Sequence, residues 1–226
     1  MTIGRNEFVA LIGPSGCGKS SFLRAVADLL APGIVQGTLL VHGGTPRDAR
    51  RRNEFAFVFQ DPTLAPWRSV LENVCLPLEI VRTDRTASRS PQELIDLVGL
   101  RGFEDRLPSA LSGGMRQRVA IARALTLDPS ILLMDEPFGA LDELTRDRMQ
   151  DELLDIWSTT RASVLLVTHS IAEAVYLADR VAVMSHRPGR LKAVVDIDLP
   201  RPRTSEMRTT VGFLEKTNEV RSTLGV

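Results

Sequence analysis

Cysteine is nearly absent from this 226-residue chain: Cys17 and Cys75 are the only two. Two distant cysteines make no ladder of paired half-cystines, which excludes a disulfide scaffold and fits a reducing compartment. Net charge is missing as well. Lys and Arg together number 28, and so do Asp and Glu, so the chain lacks the basic surplus that bulk electrostatic binding of nucleic acid requires. No apolar run approaches the ~18 residues of a membrane-spanning helix. Met1–Glu7 offers no apolar core of a secretion signal. Internal repeats and low-complexity tracts are absent too. Together these absences predict a polypeptide that is soluble by itself, binds no nucleic acid and reaches a membrane only through a partner.

What is present has the make-up of a globular domain. With 43% hydrophobic and 25% charged residues, there is ample material for one core. Five short apolar runs read as strands: Phe8–Ile12, Phe55–Phe59, Ile131–Met134, Val164–Val167 and Val181–Met184. Runs that are apolar throughout suit parallel strands covered on both faces. Helical stretches lie between several of them, so an α/β doubly wound, mostly parallel sheet is expected. Ser20–Leu30 has helical spacing, with Phe22, Leu23, Val26, Leu29 and Leu30 as its apolar positions. Between Pro62 and Leu111 strands disappear, and Val70–Val81 and Gln92–Leu100 read as helices. We therefore expect a single domain. Its α/β core spans 1–61 and 115–200, a helical subdomain spans 62–114, and a polar C-terminal tail spans 201–226. Met207, Val211, Leu214 and Leu224 would form an amphipathic face in that tail.

Gly13-Pro14-Ser15-Gly16-Cys17-Gly18-Lys19-Ser20 has the spacing GxxxxGK[ST] between a predicted strand and a predicted helix. Glycines let successive backbone N–H groups converge on phosphate oxygens, and the following helix turns its positive end to the same anion. Lys19 then neutralises β- and γ-phosphate charge, and the Ser20 hydroxyl is placed for Mg²⁺. Ser21 continues this phosphate-facing start of the helix. The Cys17 side chain is incidental to a loop that works through its amides.

Ile131-Leu132-Leu133-Met134-Asp135-Glu136 puts two acids after a buried strand, at the end where α/β sheets bind ligands. A solvated strand end explains such a pair when it stands alone. Downstream of a phosphate loop, Asp135 suits an outer-shell or direct role at Mg²⁺, and Glu136 suits a general base for attacking water. In Leu111-Ser112-Gly113-Gly114-Met115, Ser112 resembles an N-cap of the helix that follows, with its hydroxyl and neighbouring N–H groups facing an anion. A simple cap explains the serine but not the two glycines.

Leu111–Met115 resembles the LSGGQ signature of ABC transporter ATPases, with Met115 in place of Gln. The resemblance runs from about Glu7 to about Leu224. It implies ATP and Mg²⁺ as cofactors. It also implies a head-to-tail homodimer in which the Ser112, Gly113 and Gly114 signature of one subunit closes on the γ-phosphate held by the other. Gln60 matches the Q-loop glutamine, which senses Mg²⁺ or water and links to the transmembrane subunit. His169 matches the switch histidine at the γ-phosphate, with Ser170 where Asp is common. Asp142 matches the D-loop at the dimer interface. Transmembrane permease subunits are the implied partners, a solute-binding protein an indirect one, and the cytoplasmic face of the cell membrane the implied location. Pro137–Asp142 favours importers over many exporters. Leu64–Val74 and Ser185–Arg190 look most like the nitrate/sulfonate/taurine importer group. A soluble non-transport ABC ATPase and a non-hydrolysing regulatory module are the alternatives. Tandem cassettes and long insertions are missing for the first, and intact Lys19, Ser20, Asp135, Glu136 and His169 oppose the second. Family members usually carry about two dozen residues before the segment near Thr2, with antiparallel strands and an aromatic that stacks on adenine. Those strands look truncated here, and Phe8 lies within a strand, so no stacking aromatic can be assigned.

Overall fold

The computed structural model describes every residue except 32, 82–87, 161 and 226. Residues 82–87 of the expected helical subdomain thus lie outside the described residues. Six strands form one sheet in the order β2-β3-β4-β1-β5-β6: β1 (Phe8–Ile12), β2 (Phe55–Val58), β3 (Ile131–Asp135), β4 (Ser163–Thr168), β5 (Arg180–Met184) and β6 (Leu191–Asp196). Five strands run parallel, and β6 pairs antiparallel with β5. The helices are α1 (Lys19–Val26), α2 (Pro46–Arg51), α3 (Val70–Ile80), α4 (Pro91–Leu97), α5 (Gly113–Leu125), α6 (Glu143–Thr160), α7 (Ile171–Leu177) and α8 (Val211–Leu224).

The pleat divides each central strand between two cores. In β1, Phe8, Ala10 and Ile12 belong to the larger cluster under α3 to α8. Val9 and Leu11 join Leu23 of α1 on the other face. All five β1 residues are buried, which is why the run shows no alternation. Val70, Val74, Leu94, Ile95 and Val98 of the helical region share the larger cluster with the sheet. Each of α2, α3 and α4 starts with a capping box, built on Thr45, Ser69 and Ser90. No helix among the described residues is long and apolar enough to cross a membrane.

Several boundaries shift from the sequence reading. Helix α1 ends at Val26 rather than Leu30 because Asp28 turns left-handed (φ 55°); Phe22 and Leu29 are exposed. Strand β2 stops at Val58, leaving Phe59 stacked on Phe57 with ring centroids 4.3 Å apart. The 114/115 division falls inside α5, which packs on α3 and α4 as well as β2. The C-terminal segment docks against α7, β5 and β6. There the expected apolar face holds only in part: Leu224 packs on the larger cluster, but Val211 and Leu214 are exposed, while Phe213, Thr217 and Val220 are buried.

Candidate active site

Register brings the functional loops together. Ile12 pairs with Thr168, Asp135 with Val167, and Val58 with Met134. The C-terminal ends of β1, β2, β3 and β4 therefore share one sheet edge. Gly13, Gln60, Glu136 and His169 each follow directly or closely from one of those ends, as expected for an open α/β sheet.

The loop after β1 is shaped by Gly18, whose φ of 107° suits glycine and forms the N-cap of α1. No backbone acceptor takes the Gly18, Lys19 or Ser20 N–H among the described residues, so these first-turn donors remain available to an anion. Lys19 is only 6% exposed, and its Nζ donates to Gly13 O at 2.8 Å and Pro14 O at 3.2 Å. The ammonium thus stands within the loop. Ser20 Oγ donates to Asp135 Oδ1 at 2.8 Å. A hydroxyl and a buried carboxylate oxygen are hard donors of the kind Mg²⁺ takes alongside phosphate and water. No group of three or more His, Cys, Asp or Glu that could hold a metal occurs among the described residues.

Glu136 sits at φ 48°, its N–H donating to Val167 O at 2.9 Å. Its Oε2 lies 3.1 Å from His169 Nδ1, and the His169 side chain is 61% exposed. The acid and the imidazole are therefore paired at the open edge of the sheet. Gln60 is exposed beside the 136–139 turn: a Cβ at Gly139 would come within 3.5 Å of its Nε2.

Ser112 caps α5, accepting from Met115 N at 3.2 Å as predicted. Gly114 has a packing reason the sequence did not reveal: a Cβ there would lie 3.0 Å from Thr145 Cγ2 of α6. Asp142 accepts from Thr145 N at 3.0 Å, a bond that holds its carboxyl below the usual range. Ser112, Gly113 and Gly114 make no hydrogen bond to the phosphate loop among the described residues. Helix α5 instead holds the backbone on either side of Gln60. Gln117 Nε2 donates to Phe59 O at 3.5 Å, and Arg123 donates to Pro62 O at 2.7 Å and Thr63 O at 3.0 Å. Gly113, Gln60, Pro137 and Leu141 line a common cleft of about 380 Å³.

Glu173 escaped the sequence reading. It lies four residues beyond His169, a helical spacing that was the only available signal. Its carboxyl is buried near Thr168 and accepts from Gln150 Nε2 at 3.4 Å, with Oε1 unpartnered. Burial pushes it up to about 7 against the ordinary value of 4.5, with Thr168, Arg146 and Arg208 opposing and Glu136 adding to the rise. Between those two values the folded chain binds more protons than the unfolded one, so stability falls as pH rises through this window. Glu173→Gln keeps the shape without ionising. Thermal melts should show the variant gaining on the parent from pH 5 to pH 8, by about 3 kcal/mol at most. A difference that stays flat over that range would contradict the assignment.

Comparison with known proteins places the whole chain among its relatives. The ABC transporter family model matches residues 1–139. An uncharacterized ABC transporter ATP-binding protein of Methanocaldococcus jannaschii is 49% identical over 95% of this chain and 78% of its own length. An aliphatic sulfonates import ATP-binding protein of Bacillus licheniformis is 44% identical over 90% of this chain and 78% of its own. A dimeric ATP-binding cassette solved in a post-hydrolysis state with ADP and Pi is 31% identical, with a TM-score of 0.72, covering 88% of this chain and 89% of that one. The chain belongs to the ABC transporter family and is an ATP-binding, ATP-hydrolysing cassette.

Proposed function

We propose that this cassette hydrolyses ATP to drive import of a small solute, of the sulfonate, taurine or nitrate kind, through a transmembrane permease fed by a solute-binding protein. The observation that carries the reading is the Ser20–Asp135 bond beside the Glu136–His169 pair. Cation ligands and water-activating groups then flank one phosphate loop. The import direction and solute class rest on the sulfonate-import relatives, at 42% and 44% identity. Location at the cytoplasmic face of the membrane, held there by the permease, follows from the same reading.

In this scheme the Gly13–Ser21 segment, through its free backbone N–H groups, and Lys19 hold the β- and γ-phosphates. Ser20, Asp135 and Gln60 would hold Mg²⁺, which supplies charge neutralisation at the phosphate oxygens. Glu136 takes a proton from the attacking water as its oxygen bonds to the γ-phosphorus and the bond to the β-phosphate oxygen breaks. His169, anchored on Glu136, contacts the γ-phosphate. Two chains associate head to tail; the dimeric state of a 31% identical solved cassette supports the pairing of two chains. Ser112–Gly114 of one chain then faces the γ-phosphate in the other, with Asp142 near the junction.

A complementation experiment tests the shared sites. Lys19→Ala disables the phosphate-loop half, and Ser112→Arg disables the signature half. In a mixed dimer one site carries both defects and the other carries none. ATPase assays of the mixture should show turnover that neither variant shows alone. A mixture as inactive as its parents, with mixed dimers demonstrably formed, would sink the head-to-tail arrangement.

A further inference from the structure

The Ser185–Arg190 turn between β5 and β6 has no role in the scheme above, yet it lies against the phosphate loop. Three contacts join them. Arg187 Nε donates to Gly16 O at 2.6 Å across 171 residues of sequence. Its guanidinium also fills the space beside Gly16: a Cβ there would lie 2.7 Å from Nη2. Gly189 approaches so closely that a Cβ would overlap the Cys17 carbonyl oxygen. At the base of the turn, a Cβ at Gly13 would stand 2.9 Å from Met184 Cβ. The turn is itself braced. Ser185 Oγ donates to His186 O at 3.0 Å or Pro188 O at 3.2 Å, and it accepts from Arg190 N at 3.1 Å.

Peptide geometry gives these contacts a consequence. In a trans peptide the N–H points opposite to the preceding C=O. With the Gly16 and Cys17 carbonyls facing the turn, the Cys17 and Gly18 N–H groups point the other way. Cys17 N accordingly bonds Pro14 O across the loop at 3.3 Å, and Gly18 N–H is left without a backbone acceptor among the described residues. Arg187 forms no ion pair with any described carboxylate. Its charge therefore stays beside the loop rather than being cancelled by a neighbour.

We propose that Ser185–Arg190 is an outer clamp that preorganises the phosphate loop, with Arg187 as a positioning residue for polyphosphate binding. This deepens the phosphate-loop reading and rests on it. Donors held in place before the nucleotide arrives need no ordering on binding. Because the clamp acts on bound substrate and transition state alike, it contributes to affinity rather than to the chemical step.

The test uses the full chain, with ATP and inorganic tripolyphosphate as ligands. By calorimetry, Arg187→Ala should weaken both by about tenfold or more, the loss of one charged hydrogen bond. The ATPase KM should rise similarly while kcat stays within about twofold. Arg187→Lys, which can still donate to Gly16 O, should recover most of the affinity. A melting temperature unchanged without ligand would separate positioning from general stability. Three results would overturn the clamp: parental affinity for both ligands in Arg187→Ala, weakening for ATP but not for tripolyphosphate, or a loss that follows a lowered melting temperature. Lys19→Ala, run in parallel, distinguishes the two levels. If it too binds normally, the phosphate-loop reading fails; if it alone fails to bind, only the clamp does.

Discussion

Glu136→Gln is expected to lower ATP turnover by about 10²- to 10⁴-fold, the usual worth of a positioned general base, while ATP still binds. The amide is nearly isosteric with the carboxylate, so the Val167 O bond to the Glu136 backbone and the left-handed turn at residue 136 need not change. What is lost is the ability to accept a proton from water. The partner of His169 also changes from an anion at 3.1 Å to a neutral amide, which can still offer its oxygen or its NH₂. Binding and chemistry should therefore separate cleanly. Equilibrium titration should return an affinity near the parent's, and single-turnover kinetics should show the defect. Sizing in Mg-ATP should show an accumulated dimer, because hydrolysis no longer dissolves the closed state. Full turnover with monomer alone would remove Glu136 from its assigned role.

The parts of the site that were legible in the sequence are those whose chemistry is local. Eight consecutive residues make the phosphate loop, and a buried strand followed by two acids announces Asp135 and Glu136. The Ser112 cap could be read from one serine before a helix, and it forms as expected. Strand identity was equally plain for β1, β3, β4 and β5, because burial on both faces leaves uninterrupted apolar runs.

Features that depend on distant partners were not legible. Strand β6 is an edge strand with half of its residues exposed, Leu191 and Lys192 among them, so its pattern resembles a loop. In α8 Val211, Leu214 and Leu224 suggested one face; docking on α7 covers Leu224 but leaves Val211 and Leu214 exposed and buries Phe213 and Val220 instead. Gly114 looked like an opening at a helix end, yet Thr145 of α6 requires the missing side chain. Arg187 and Glu173 gain significance only through the Gly16 carbonyl and the Thr168 segment, which the chain brings near by folding. A motif records which residues face a ligand; it carries no record of what presses on them from behind.

Lys19→Ala is expected to weaken ATP binding by at least ~100-fold, since two charged hydrogen bonds to phosphate are worth roughly 3–6 kcal/mol together. The position argues for a large effect. Nζ is buried in the loop and already satisfied by the Gly13 and Pro14 carbonyls, so it is held in place before phosphate arrives. Alanine removes the cation and leaves those two carbonyls to water or to each other's neighbours, which adds to the negative character of the site. The fold itself should tolerate the change. Lys19 belongs to neither hydrophobic cluster, and α1 retains Leu23 as its buried anchor. Thermal melts resolve the two effects. The parent should gain stability with rising Mg-ATP, as any ligand confined to the folded state requires. The variant should melt near the parent without nucleotide and show no such gain. A retained ATP-dependent rise would mean that the nucleotide is held without Lys19, and the phosphate-loop assignment would have to be abandoned.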